Sequence, residues 1–180
     1  MPKSFRPEDH FDEYDKIFRN PYFKAMPDGT QRHTTELIAD RGIEFLKTHR
    51  EKKRSFCLNL WFNAGHAEDR DREAGIGYYP CPRAMDGKYE DITIPAPHLS
   101  APAIYQAHPE FFKKSNHREP FHWLWDIQEK YQTNMRAYFR MLTGIDHVIN
   151  RVLQTLEEEG LADNTIVVYA ADNAVLHGRS

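Results

Sequence analysis

The sequence predicts an α/β domain with a mostly parallel sheet flanked by helices, on three observations. A short apolar and aromatic segment at residues 55–62 follows a stretch with helical spacing. Apolar residues then recur at intervals of three and four across residues 131–156. A second, nearly continuous apolar segment closes the series at residues 165–170. Helix, strand, long excursion, helix, strand is the order in which a parallel sheet is laid down, because parallel neighbours need a crossover between them.

The elements follow in chain order. Residues 1–30 are polar and aromatic without a period, with Phe5, Phe11, Tyr14, Phe18, Tyr22 and Phe23 scattered among Pro, Asp and Lys. They are expected to form an irregular lead-in that packs on the rest of the chain. Pro27-Asp28-Gly29 marks a turn. Thr34 or Thr35 then caps a helix running to about Arg50, with Ile38, Gly42, Phe45 and Leu46 on one face. The basic residues at its end suit the negative end of the helix dipole. The strand at 55–62 stops at Asn63-Ala64-Gly65-His66. Residues 67–126 show no sustained period and are punctuated by seven prolines from Pro80 to Pro120, so they are expected to be a long Pro-rich loop insertion. Tyr131, Met135, Tyr138, Leu142, Ile145, Ile149, Val152 and Leu156 then define a helix of about seven turns, and Gly160 ends it. Asp163-Asn164 make a turn into the strand at 165–170.

Composition bounds the function. Twenty-four Lys and Arg against 27 Asp and Glu leave a net charge of −3, which gives no broad attraction for nucleic acid or anionic lipid. Neither nucleic acid nor membrane is therefore expected as a partner. No apolar run approaches the roughly 20 residues of a membrane helix, and the N-terminus lacks the apolar centre of a signal peptide. Two cysteines cannot build a disulfide framework or a zinc cluster. The 40% hydrophobic content and mean hydropathy of −0.75 are low for a self-contained enzyme of 180 residues, while aromatics reach 13%. That combination points to much polar loop carried on a modest core.

Chemistry is expected where the strands end, since ligands of open parallel sheets bind outside the carboxyl ends of the strands. The first strand leads to His66, which can donate to an anionic substrate or act as a general acid. The second leads to Asp172-Asn173, a carboxylate and an amide oxygen, hard donors that suit Ca²⁺ or Mg²⁺ better than zinc. The same Asx pair also reads as a simple strand cap and turn, and a loop histidine is often merely solvated. Cys81-Pro82-Arg83 has no base partner in the sequence pattern, the ten histidines include no zinc-protease pair on a helix, and nine scattered glycines form no phosphate-cradling loop.

Three segments carry a family resemblance: TTELIADRGIEFL from residue 34, FCLNLWFNAGHAED from residue 56, and above all YFRMLTGIDHVINRVLQTLEEEGLADNTIVVYAADN from residue 138. They resemble the sulfatase family, of the alkaline-phosphatase-like superfold, from about residue 30 to the end. The resemblance implies that Asp172 and Asn173 are two oxygen ligands of a single Ca²⁺. It also implies that His66 is a catalytic and substrate-binding residue, hydrogen-bonding the sulfate and assisting the leaving group. Such enzymes hydrolyse sulfate esters or sulfamates of small molecules or glycans, with a formylglycine made from Cys or Ser in a C-x-P-S-R-type motif, and are commonly exported.

Several parts of that pattern are not in this sequence. There is no C-x-P-S-R or S-x-P-x-R motif and hence no nucleophile. Ala174 stands where Gly usually follows Asp-Asn, and Gly65 where Pro is common before the His. The expectation is thus an incomplete, internal part of a sulfatase catalytic domain, inactive by itself, with the formylglycine outside this chain. The alternatives are a phosphodiesterase or phosphatase of the same superfold, for which Asn173 is a poor zinc ligand, and a non-catalytic domain that binds through the 67–126 loop.

Overall fold

A computed structural model describes residues 6–18, 20–52, 54–73, 75, 77–98, 100–116 and 118–171. Two helices dominate it. Helix α1 (Thr34–His49) packs along α5 (Gln128–Glu158), and the two share a core of Ala39, Leu46, Val148, Val152 and Leu156. Asp40 ties the pair from outside the core: it accepts from Arg32 and from Arg151 of α5 at 2.7 Å. Burial pushes the Asp40 carboxyl up, but the two guanidinium groups outweigh it and hold it below the usual carboxylate range.

Both helix ends have local causes. The N-cap of α1 is His33 rather than either threonine, a correction to the sequence expectation. Its Nδ1 accepts from Thr35 N–H at 3.2 Å while the Glu36 carboxylate accepts from His33 N–H at 3.0 Å, a capping box with an imidazole in the place of a hydroxyl. Gly160, at φ +66, ends α5 as expected. Gly160 N–H donates to Glu157 C=O and Leu161 N–H to Leu156 C=O, the paired bonds of a Schellman motif, and Leu161 folds back onto the Leu156 cluster.

The buried face of α5 differs from the predicted one. Leu142 is exposed and Ile149 only half-buried, whereas Asn134, Ala137, Met141, Gly144 and Val148 are buried. The reason is close approach. A Cβ on Gly144 would stand 2.7 Å from Pro82 Cδ, so this small residue is what lets the 80–85 turn lie against the helix.

The predicted parallel sheet is not what the described residues form. Their one sheet is an antiparallel hairpin of β1 (Phe23–Ala25) and β2 (Gln31–His33), with Phe23 opposite His33, inside and just after the predicted lead-in. Residues 55–62 keep the period of a strand, with Phe56, Leu58, Leu60 and Phe62 packed on the α1–α5 core and the alternate residues exposed, but have no ladder partner among the described residues. Residues 165–170 begin extended at Thr165, and Ile166 and Val168 are 91% and 81% exposed. A ladder is a property of two segments, and periodicity within one segment cannot supply its neighbour.

The 67–126 segment is more ordered than its sequence suggests. It holds three short helices, α2 (Pro102–Ala107), α3 (Glu110–Lys113) and α4 (Arg118–Leu124), each too short to display a period. Side chains of α5 also bind its backbone. Gln132 exchanges two hydrogen bonds with the Ile94 peptide groups, Arg136 donates twice to Ile92 C=O, and Arg140 donates to Lys88 C=O at 2.7 Å. One row of the helix, three side chains four residues apart, therefore does for this loop what a neighbouring strand would do. Buried Asn134 joins two more points, accepting from Gly75 N–H and donating to Leu124 C=O. No helix among the described residues is long and apolar enough to cross a membrane.

Candidate functional site

His66 sits, exposed, on the turn that ends the 55–62 segment. Its Nδ1 lies 2.9 Å from Ala67 C=O, and a carbonyl can only accept, so Nδ1 carries the proton. Nε2 is then the acceptor of the neutral ring and the second donor of the imidazolium. That second form is the one an anionic oxygen requires.

The turn beneath His66 is held from two sides. Tyr22, 1% exposed on the strand-hairpin side, places its hydroxyl 2.8 Å from both Asn63 C=O and His66 C=O. From α5, Met141 Sδ accepts from Gly65 N–H at 3.0 Å. Tyr22, Ala67, Met141, Tyr79 and Cys81 belong to one buried cluster, so the turn rests on packed side chains. Gly65 has φ +95, a conformation closed to proline, whose φ is fixed near −65° and which has no N–H to offer Met141. The geometry explains why glycine occupies this position. Gly65→Ala is expected to cost about 1–2 kcal/mol in urea unfolding, all of it backbone strain. The added Cβ would meet nothing closer than Leu142 Cδ2, at 3.8 Å.

Tyr22 is itself anchored. Its ring stacks on His33, with centroids 5.1 Å apart and planes 13° off parallel, and His33 Nε2 donates to Pro80 C=O at 3.1 Å. Burial pushes the His33 pKa down to about 4, only partly offset by the Pro80 bond, so the ring is neutral at pH 7 with each nitrogen committed. Sequence reading missed Tyr22, His33 and Met141. Two of the three lie 30 or more residues before the turn, and nothing local distinguishes Tyr22 from the other aromatics of the lead-in.

Asp172 and Asn173 lie outside the described residues. The segment leading to them is described as far as Ala171, and Tyr169 acts electrostatically on Tyr138, whose hydroxyl is raised first by burial and then by that neighbour. Tyr138 is one helical turn from Met141, which holds Gly65.

Other groups near the site are structural in kind. Cys81 is buried and its thiol is pushed up to about 11 by burial, then by Asp86, so it is not a thiolate nucleophile at neutral pH. Among the described residues no three His, Cys, Asp or Glu side chains converge as metal ligands. Glu68 Oε1 is buried with no hydrogen-bond partner among the described residues, and its charge acts on Lys24, whose amine burial pushes below its ordinary value.

Comparison with known proteins gives a consistent answer. A family model described as Sulfatase matches residues 2–179. The chain is similar to an arylsulfatase of Volvox carteri, with 27% identity over 160 residues, 78% of this chain and 23% of that protein. It is also similar to two proteins of Bacteroides thetaiotaomicron. One is an endo-4-O-sulfatase, 35% identical over 48 residues, covering 27% of this chain and 9% of that protein. The other is an N-acetylglucosamine-6-O-sulfatase, 42% identical over 52 residues, covering 29% and 9%. The chain spans less than a quarter of the length of these curated relatives. No solved structure matches it.

Proposed function

Because the chain belongs to the sulfatase family, we propose that it is part of a catalytic domain that hydrolyses sulfate esters of a small molecule or glycan. The observation that carries this reading is the family match over nearly the whole chain, including both segment ends where chemistry is expected. In the proposed site, His66 binds the sulfate. As the imidazolium, its Nε2–H donates to a sulfate oxygen or gives its proton to the ester oxygen as that oxygen leaves sulfur, the step at which the leaving group most needs one. The Nδ1–H bond to Ala67 C=O fixes which nitrogen does this.

Asp172 and Asn173 would supply two oxygen ligands to a Ca²⁺, whose donor preference they fit: one hard anionic oxygen and one neutral amide oxygen. Such an ion, when bound, would offset the negative charge of the sulfate. The same pair speaks against the two-zinc phosphatase reading, because an amide is a poor zinc ligand. The chain has no C-x-P-S-R-type motif to provide a formylglycine, so the proposal includes that this chain alone does not turn over.

Two measurements test the proposal. Assay of the purified chain with an aryl sulfate, an aryl phosphate and a diaryl phosphate should give no hydrolysis of any of them; aryl-sulfate turnover comparable with an intact sulfatase would overturn the incomplete-domain reading. Sequencing the DNA on both sides of the reading frame should reveal a C-x-P-S-R-like motif upstream and, downstream, the Gly-Lys segment whose Lys contacts sulfate in the family this chain resembles. Neither being present would favour the non-catalytic binding domain.

A further inference from the structure

We propose that Tyr22 is the positioning residue for His66: through one buried hydroxyl it sets the turn that holds the His66 ring in its Nδ1–H tautomer. The inference rests on the reading of His66 as the sulfate-binding histidine for its functional meaning, but its geometry stands without that reading. The phenol has a single proton and two carbonyl acceptors, Asn63 C=O and His66 C=O, each at 2.8 Å. These are the two ends of the turn that closes with His66 N–H donating to Asn63 C=O at 3.2 Å. A donor shared between the first and last carbonyl of a turn fixes their separation and orientation, and so directs the next peptide, whose Ala67 C=O receives the ring proton.

The anchor is stiff enough for this role. Tyr22 is almost wholly buried, its ring is stacked on His33, and its backbone carbonyl accepts from Thr34 N–H at 2.8 Å at the start of α1. His33 is fixed in turn at both ring nitrogens. The hydroxyl therefore cannot follow the turn if the turn moves, and the two carbonyls must come to it. The other contact of the turn, Met141 Sδ with Gly65 N–H, is a weak acceptor that binds neither end carbonyl, so it does not replace the phenol.

Tyr22→Phe removes one oxygen and keeps the ring, the stack and the packing, so the fold is retained. The experiment is nitrogen-15 NMR of the histidine rings in the full 180-residue chain at a pH where His66 is neutral, with the His66 signal identified by its loss in His66→Gln. In Tyr22→Phe the His66 ring should lose the Nδ1–H tautomer as its major form, while His33 keeps its own. Hydrogen-exchange protection of the His66 amide should fall about tenfold, the equivalent of one lost hydrogen bond. Val152→Ala, which loosens the core without touching the turn, should leave the His66 tautomer unchanged and so separates positioning from general loss of stability. An unchanged His66 tautomer in Tyr22→Phe, or the same change in Val152→Ala, would overturn the proposal. Inorganic sulfate added to the unaltered chain, at a lower pH where the His66 ring is the imidazolium, tests the functional reading separately: movement of the His66 ring signals supports it. Failure of sulfate to move them, with the tautomer change still present, overturns the sulfate-binding role and leaves the positioning role standing.

Discussion

Replacing His33 with alanine is expected to lower the unfolding free energy by about 3–5 kcal/mol, the largest effect of any single side chain considered. Three losses coincide. The α1 N-terminus loses its cap, worth about 1 kcal/mol. Pro80 C=O, buried and previously bound by Nε2–H, loses its donor, at about 1–3 kcal/mol. The stack on Tyr22 and the edge contact with Phe23 give way to a cavity. Urea unfolding at pH 7 measures the total, and a loss below about 1 kcal/mol would mean that the imidazole is not the anchor described. The same residue predicts a pH dependence. Its folded pKa is about 4, against an ordinary value of 6.5, so between these values the unfolded chain holds a proton that the folded chain does not. Stability from this group is thus complete above about pH 6.5 and is lost as pH falls towards 4, by up to about 3 kcal/mol. His33→Asn keeps a capping oxygen and removes the titration. The stability advantage of the natural chain over this variant should shrink across that window, and an advantage independent of pH would refute the assignment.

Met141→Ala is the second large effect, at about 2–5 kcal/mol. Met141 is completely buried among Tyr22, Tyr79, Cys81 and Met85, where several elements meet and where collapse around a smaller side chain is least possible. It also leaves Gly65 N–H without its sulfur acceptor. Met141→Leu separates the two contributions: volume is nearly conserved, so its cost should stay below about 1.5 kcal/mol while the 63–66 turn still loses the sulfur. Equal losses in the two variants, by thermal or urea unfolding, would show that the contact with Gly65 outweighs the cavity.

How much of this was legible in the sequence depended on the range over which each signal acts. Helix α5 and its stop at Gly160 were legible because apolar spacing and a C′ glycine are local properties. The cap at His33 was not, since its Nδ1 accepts only in the tautomer with the proton on Nε2, and the Pro80 carbonyl that holds that proton lies 47 residues further on. The face of α5 was read slightly off its true axis, because Asn134 and Gly144 have no apolar signature and are buried through partners at Leu124, Gly75 and Pro82. The segment at 55–62 announced its two-residue period, and that at 165–170 its extended start at Thr165, but neither announced a neighbour. The place of His66 on the turn after an apolar segment was legible, as distinct from the role proposed for it. The hydroxyl that holds its turn comes from 44 residues earlier and could not be.

The row of Gln132, Arg136 and Arg140 has a consequence for how this protein can change. These side chains bind peptide groups of Ile94, Ile92 and Lys88, and every residue type presents the same carbonyl. Apart from Ile94, buried against Tyr131 and Met135, and Tyr89, whose hydroxyl lies 2.7 Å from Thr143 Oγ1, the 88–94 stretch can therefore exchange side chains without touching these contacts, while loss of a helix arginine removes one of them outright. Mutational tolerance is divided unequally between the two partners of one contact. A surface loop placed in this way is free to diversify what it presents to solvent, on a mounting that stays the same.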